Sequence, residues 1–261
     1  MLGMTSGIKE DDKSYVFDWD AVFAADDYLY FYDDTLISER TEHQVDFLEQ
    51  HLCMLPGMRV LDVGCGHGRH ALELAHRGYS VVGLERMPGF LSLARQQAEA
   101  AGLEVEWVEG DAREFDRVEQ FDRVVCLFDV FGLHRDDENA DVLRRIHHAL
   151  RPGGRACIDV RNRDWIIRSI LPVTIMQKGQ DLMIDRHSFD PLTGRLVDFR
   201  LMVRDGQVKQ APLSVRLYSF TELRSLLTSV GFEVTDAFGT WDGAPIGLQH
   251  NRMVLMVEKA R

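Results

Sequence analysis

Apolar and polar positions along this chain follow two rhythms, and the change between them falls near residue 161. Before it, short apolar runs alternate with stretches of helical period. Val45, Leu48 and Leu52 recur at spacings of three and four, which predicts a helix from about Ser38 to about Leu52, stopped by Pro56-Gly57. Arg59–Val63 reads as a buried strand, followed by a glycine-rich turn and a helix ending at Gly78. Ser80–Leu84 is a second strand, and an Ala/Gln/Leu-rich helix runs from it to Gly102. Val105–Val108, Phe121–Phe128 and Arg155–Val160 are the third, fourth and fifth strands, with a helix starting near Asp136 or Asp137 and ending before Pro152-Gly153-Gly154. Strand–helix alternation with short connections predicts an α/β fold: a Rossmann-like, mostly parallel sheet with helices on both faces.

After residue 161 the period becomes two. Leu182–Phe189, Arg195–Val203 and Val208–Leu217 read as strands joined by Asp190–Gly194 and Asp205-Gly206, both hairpin signals, so a small three-stranded antiparallel insert is expected. The apolar stretch Ser169–Met176 leads into it and would make a hydrophobic wall for a small ligand. A helix resumes at Ser219, with Glu222 completing a capping box, Leu223, Leu226, Leu227 and Val230 on its apolar face and Gly231 at its end. Phe232–Phe238 and Met253–Val257 add two last strands. The expected organisation is an N-terminal aromatic cap and helix (1–54), a core (55–164), the insert as a lid (165–218) and the C-terminal part of the core (219–261). Residues 1–14 are polar; residues 15–34, from Tyr15 onward, are dense in aromatics and acids and read as a packed lid.

The sharpest chemical feature is Val60-Leu-Asp-Val-Gly64-Cys-Gly66-His-Gly68. Glycines between a strand and a helix let a ligand approach the backbone, and the helix N-terminus offers free N–H groups. The dinucleotide fingerprint is G-x-G-x-x-G, whereas here the spacing is G-x-G-x-G with Asp62 two residues before the first glycine. That carboxylate suits a ligand ammonium, which an amino-acid moiety joined to a nucleoside has and a dinucleotide lacks. Glu85 closes the second strand and suits ribose hydroxyls; Gly110-Asp111-Ala112 closes the third, where an acid can meet an adenine amino group. In an open sheet, ligands bind outside these strand ends.

Charge and cysteines narrow the classes. The formal net charge is −12 and no dense Lys/Arg cluster stands out, which disfavours nucleic acid and anionic membranes as partners. No stretch approaches the ~20 apolar residues of a membrane helix. The first residues lack the basic start and apolar core of a signal peptide, and the four cysteines are scattered. A cytoplasmic protein with reduced thiols is expected. Cys65, His67 and His70 do not make a zinc pattern, since structural zinc takes four ligands at other spacings; no metal is expected.

The segments VLDVGCGHGRHALELAHRGYSVVGLE, VEGDAREF, FDRVVCLFDVFG and LRRIHHALRPGGRACIDVRNRD, spanning about residues 59–164, resemble the class I S-adenosylmethionine (SAM)-dependent methyltransferases. The last two strands resemble that family's C-terminal β-hairpin region. The aromatic N-terminus and the insert resemble a branch of bacterial small-molecule enzymes with glycine N-methyltransferase and sugar N-methyltransferase layouts. The resemblance implies a seven-stranded sheet with one antiparallel strand. It implies that Asp62, Gly64, Cys65 and Gly66 hold the methionyl part of SAM, Glu85 and Arg86 the ribose, Gly110, Asp111 and Ala112 the adenine. Leu127, Phe128 and Phe131 would lie near the sulfonium. By the same layout Arg40, 22 residues before Asp62, would pair with the methionyl carboxylate, and Tyr30, ten residues earlier, would pack on the cofactor or act in catalysis; Tyr30 stands where the family has an indole. Arg40 can equally be a solvated helix residue pairing with Glu39 or His43.

Methyl transfer from a sulfonium is an in-line displacement, so positioning and exclusion of water dominate. His134, after the fourth strand, is the candidate general base because an imidazole titrates near neutrality. N-methylation of a small-molecule acceptor is favoured slightly over O-methylation. The alternatives are a macromolecular acceptor or a SAM-binding regulatory protein without catalysis. Monomer and homodimer both stay open.

Overall fold

The computed structural model describes residues 17–260; Tyr15 and the polar residues 1–14 lie outside them. The elements in chain order are α1 (Trp19–Val22), α2 (Ala25–Tyr32), α3 (Ser38–His51), β1 (Arg59–Val63), α4 (Arg69–His76), β2 (Ser80–Glu85), α5 (Pro88–Ala101), β3 (Glu106–Glu109), β4 (Phe121–Cys126), α6 (Asp136–Ala149) and β5 (Leu150–Arg161). They continue with α7 (Arg163–Ser169), β6 (Val173–Lys178), β7 (Asp181–Asp190), β8 (Arg195–Arg204), β9 (Gln207–Arg216), α8 (Phe220–Val230), β10 (Phe232–Phe238) and β11 (Arg252–Lys259).

Seven strands form one sheet in the order β10-β11-β5-β4-β1-β2-β3, with β11 antiparallel to both its neighbours. The other pairs are parallel. The chain leaves β1 toward β2 on one side and returns to β4 on the other, so the strand order reverses between β1 and β4. A crevice opens there at the C-terminal strand ends. The sheet is covered on both faces. Leu143, Ile146 and Leu227 pack one apolar layer; Val45, Leu48 and Leu74 pack the other. The central strands are accordingly buried along nearly their whole length.

A second sheet, β6-β7-β8-β9, is antiparallel throughout. It has four strands where the sequence pattern predicts three. The stretch Ser169–Met176 is not a continuous wall: it ends α7 and enters β6, which pairs back on β7 through Gly179, at φ 61°. Leu171, Val173 and Ile175 point outward and are exposed. Thr174 and Met176 therefore occupy the inner face, because side chains alternate along a strand. β5 also begins earlier than the apolar run suggests, at Leu150, because Leu150 pairs with Phe121 before a register shift brings Arg155 opposite Arg123.

The cap α1–α2 is built onto this second sheet. A third apolar cluster joins Val22 and Phe31 to Met183, Leu196, Met202 and Leu213. Asp18 caps α1 by accepting from Ala21 N at 3.0 Å, while its own N–H donates to the Pro212 carbonyl at 3.0 Å. Asp27 receives Arg204 Nη1 at 2.8 Å and Lys209 Nζ at 2.6 Å; burial raises its pKa, but the two cations outweigh it and hold the carboxyl below its usual range. Tyr30 donates to Asp181 Oδ2 at 2.7 Å, and Lys178 pairs with Asp33. Among the described residues, no helix is long and apolar enough to cross a membrane.

Because Asp27 holds two cations of β8 and β9, its removal should free α2 first. Asp27→Ala is expected to raise amide exchange across Ala25–Tyr32 by about tenfold or more, the loss of charge-assisted hydrogen bonds being worth that much. Exchange in β1 and β4 should stay unchanged. An unaltered rate in α2 would show that the apolar contacts alone hold the cap.

Candidate functional site

The β1-to-α4 connection is a tight turn made of glycines for steric reasons. Gly64 sits at φ 68°, and a Cβ there would lie 2.5 Å from Val130 Cγ2. Gly68 caps α4 at φ 87°, and a Cβ would meet the Trp107 ring at 2.7 Å. Glu85, at the end of β2, ties the turn down: its Oε2 accepts from Gly66 N at 2.9 Å and its Oε1 from Met87 N at 2.7 Å. Burial raises the pKa of this carboxyl, with the backbone donors opposing.

One cavity collects most of the residues singled out in the sequence. Asp62, Gly64, Cys65, Gly66, Glu85, Arg86, Gly110, Asp111, Ala112, Leu127, Phe128 and His134 all line it. Trp19, Phe23 and Tyr28 of the cap close it from above. It encloses about 980 Å³ of space, counted together with the solvent at its open mouth.

Its floor holds an unusual pair. Asp62 is 2 % exposed, and its Oδ2 is buried without a hydrogen-bond partner. Burial pushes its pKa up to about 7, opposed by Arg69 and reinforced by Glu85. Arg69, in the first turn of α4, donates through Nη1 to Thr41 Oγ1 and Gln44 Oε1, each at 2.9 Å, and lies over the Phe128 ring at 4.2 Å. Its Nη2 is buried and unpartnered, and burial brings its pKa down to about 10. A buried acceptor and a buried donor left open toward the same cavity are costly unless a ligand completes them. A zwitterionic amino-acid group would give each one its partner. The donor set therefore fits the methionyl end of SAM.

The opposite end of the cavity is flat and aromatic. Trp19 lies between His134, stacked at 5.3 Å, and the Arg86 guanidinium, 4.6 Å from the indole centroid. His134 is buried, its Nδ1 has no partner, and burial pulls its pKa down to about 4. At neutral pH this imidazole is an uncharged stacking and hydrogen-bonding group. Asp111 accepts from Arg113 N and Nε at 2.9 Å and from Arg86 Nη1 at 3.3 Å. Burial opposes its ionisation, but the Arg113 contacts prevail and bring it to about 2.

Three expected residues lie apart from the cavity lining. Tyr30 points to Asp181 and stacks under Arg204 at 4.3 Å, so it serves the cap–sheet junction; Tyr28, two residues before it, reaches the cavity. Arg40 is exposed on α3 and donates to the Thr35 carbonyl at 3.2 Å. Phe131 is buried in the core against Tyr218, 5.4 Å between centroids. Arg69, Trp19 and Tyr28 take places that the sequence reading did not assign. Arg69 had a signal, since it directly follows Gly68 and must stand in the first turn of the loop-bounded helix.

The β4 exit is held by an ionic cluster. Phe128 and Asp129 adopt φ of 58° and 64°, a conformation side-chain-bearing residues rarely take. Arg252 donates through Nη1 to Asp129 Oδ1 and through Nε to Asp159 Oδ1, each at 2.8 Å, and Asp159 Oδ2 accepts from Phe128 N at 3.0 Å. Arg161 Nε reaches Asp129 Oδ2 at 2.8 Å. Among the described residues, no group of three or more His, Cys, Asp or Glu side chains is arranged to hold a metal ion.

Comparison with known proteins agrees with this geometry. Residues 60–154 match the model of a methyltransferase domain. Over these residues the chain carries a methyltransferase domain. A ubiquinone biosynthesis O-methyltransferase of Stutzerimonas stutzeri is 32 % identical over 46 % of this chain and 51 % of its own length. The chain thus spans about half of that relative. A cypemycin N-terminal methyltransferase of a Streptomyces species is 28 % identical over 78 % of this chain and 84 % of its own. A glycine/sarcosine N-methyltransferase of Parasynechococcus marenigrum is 26 % identical over 77 % and 72 %. The fold matches the crystal structure of a SAM-dependent methyltransferase from Clostridium acetobutylicum with a TM-score of 0.79, at 14 % identity, over 91 % of this chain and all of that one.

Arg252 is the keystone of the β4 exit. Arg252→Met leaves Asp159 and Asp129 buried without their main partner, and is expected to lower unfolding stability by about 3–5 kcal/mol. Urea denaturation checks this. A loss below about 1 kcal/mol, within the range of a surface ion pair, would show that the cluster is solvated.

Proposed function

We propose that this chain transfers the methyl group of SAM to the nitrogen of a small-molecule amine. The observation that carries the reading is the open pair on the cavity floor, Asp62 Oδ2 and Arg69 Nη2. In this reading Asp62 takes the methionyl ammonium and Arg69 the carboxylate, by a charge-assisted contact suited to guanidinium. Glu85 accepts from the ribose hydroxyls, and Asp111, Ala112 and His134 surround the adenine under Trp19. Leu127 and Phe128 face the sulfonium end. SAM supplies an electrophilic methyl group. The residues of the chain orient the two partners and exclude water, which Trp19, Phe23 and Tyr28 do by roofing the cavity.

Nitrogen is favoured over oxygen by the extent of the resemblances. The matches over 78 % and 77 % of the chain are to proteins named as a cypemycin N-terminal methyltransferase and a glycine/sarcosine N-methyltransferase. The O-methyltransferase matches stop at about half of the chain. An amine acceptor needs only to be neutral when it attacks.

Two measurements test this. With methyl-labelled SAM and a bacterial metabolite extract, label is expected on nitrogen of a small product, with S-adenosylhomocysteine released in equal amount. Label on oxygen would overturn the preference, and SAM binding without any product would make the chain a regulatory binder. In calorimetry, Arg69→Met should weaken SAM binding by roughly 10- to 100-fold, the loss of a hydrogen-bonded charge, while Arg40→Met should change it less than about twofold. The reverse order would move the methionyl carboxylate to α3.

A further inference from the structure

The inner face of the second sheet carries charge where it overlooks the β4 exit. Antiparallel register places Thr174 opposite Asp185, Asp185 opposite Arg200 and His187 opposite Asp198, so all five side chains share one face. Toward the cap the same face is apolar, with Met183 opposite Met202. Arg200 grips Asp185 through Nε at 2.8 Å and Nη2 at 3.0 Å and reaches the Tyr32 hydroxyl at 2.9 Å. His187 Nδ1 lies 2.5 Å from Asp198 Oδ1, and its Nε2 lies 2.8 Å from Thr174 Oγ1. Asp198 is 2 % exposed, whereas Thr174 is open to solvent.

This network is joined to the cofactor cavity through the cap: Arg200 reaches Tyr32, whose ring lies 4.8 Å from that of Tyr28, a lining residue of the cavity. Arg161, paired with Asp129 next to Phe128, is near enough for its charge to act on His187 and for Asp198 to act on it. Tyr28, which lines the cavity, is acted on by Asp129 from the core and Arg200 from the sheet. The relay proposed below requires the acceptor to enter between these two walls. Strand pairing alone does not call for buried ions, since apolar residues would hold the same register without the desolvation penalty.

We propose that Asp198, His187 and Thr174 form a proton relay that deprotonates the acceptor amine. The inference rests on the amine methyltransferase reading above. A carboxylate can only accept, so the hydrogen between Asp198 and His187 belongs to Nδ1, which leaves Nε2 as the acceptor of the Thr174 hydroxyl proton. The acceptor's ammonium N–H bond breaks and its proton passes through Thr174 Oγ1 to His187 Nε2. The pair left on nitrogen bonds the methyl carbon, and the methyl–sulfur pair leaves with sulfur. The imidazolium then returns its proton to water at the exposed β6 edge. Asp198 raises the pKa of His187, with burial opposing and Asp185 and Arg161 acting from β7 and β5 in opposite senses. The relay is competent once His187 is neutral, so the rate should climb with pH through a value above 6.5.

The test uses the full chain and the amine that takes label from SAM. Wild type should show an ascending limb in kcat above pH 6.5. Asp198→Asn, lacking the carboxylate charge, should move that limb to lower pH and reduce kcat by about 10- to 100-fold, as for loss of an oriented general base. Thr174→Val should lower kcat without moving the limb, and Thr174→Ser should restore it. NMR titration of the His187 imidazole, without cofactor or acceptor, should give a pKa above 6.5 in wild type and a lower one in Asp198→Asn. SAM affinity by calorimetry should be the same in all four proteins. An unmoved limb with kcat intact in Asp198→Asn overturns the relay while leaving methyl transfer standing. Wild type that binds SAM and methylates no amine overturns the functional reading itself, and the relay with it.

Discussion

A buried carboxylate with one oxygen left unpartnered, near the end of the central strand, is the constraint around which this molecule is arranged. Asp62 is the penultimate residue of β1, where the strand order reverses, with β2 and β4 on either side, and its Oδ2 has no donor in the described structure. An unpaired buried acceptor opposes folding. The chain meets that opposition locally: the glycine turn wraps past it, Glu85 pins the turn through two backbone N–H groups, and Arg69 stands nearby with one nitrogen also open. Each of these is a device for holding two unsatisfied groups of opposite sign at fixed separation. Such an arrangement makes physical sense as one half of a contact whose other half is a zwitterion.

The roof over that pair belongs to a different body. Trp19, Phe23 and Tyr28 line the cavity, yet α1 and α2 are fastened to β7, β8 and β9 by Met183, Met202 and Leu213 and by the Asp27 clamp. From the sequence, the insert and the aromatic N-terminal segment read as two separate lids. The structure ties the cofactor's cover to the same sheet, so the two cannot be separated by deleting the insert. A strain introduced at β8 has a path of packed side chains to Trp19 and from there to His134 and Arg86.

The core was legible because its signals are local. A buried parallel strand is a continuous apolar run, its end is marked by a polar residue, and the ligand-facing positions are those ends: Asp62, Glu85 and Asp111 could be placed by counting. What stayed hidden depends on contacts between residues far apart in sequence. Nothing near Tyr30 says that Asp181 lies 2.7 Å away and draws it from the cavity in favour of Tyr28. β6 was missed because its alternation is masked by apolar residues on the outward face, Val173 and Ile175. His187 meets Asp198 only once the β7–β8 register is known. His134 reads as a neutral-range base until its burial under Trp19 is seen.

The central claim is that Asp62 waits for a cation. In the ligand-free chain burial pushes its pKa up to about 7, so near neutral pH the carboxyl holds its proton in part of the molecules. A ligand ammonium favours the ionised form, so SAM binding should expel that proton. Calorimetry of SAM binding at pH 7 in buffers of different ionisation enthalpy counts it directly. The account predicts a net release of protons on SAM binding in wild type, and a smaller release in Asp62→Asn. Equal proton release in the two proteins, with SAM affinity unchanged by the substitution, would contradict it.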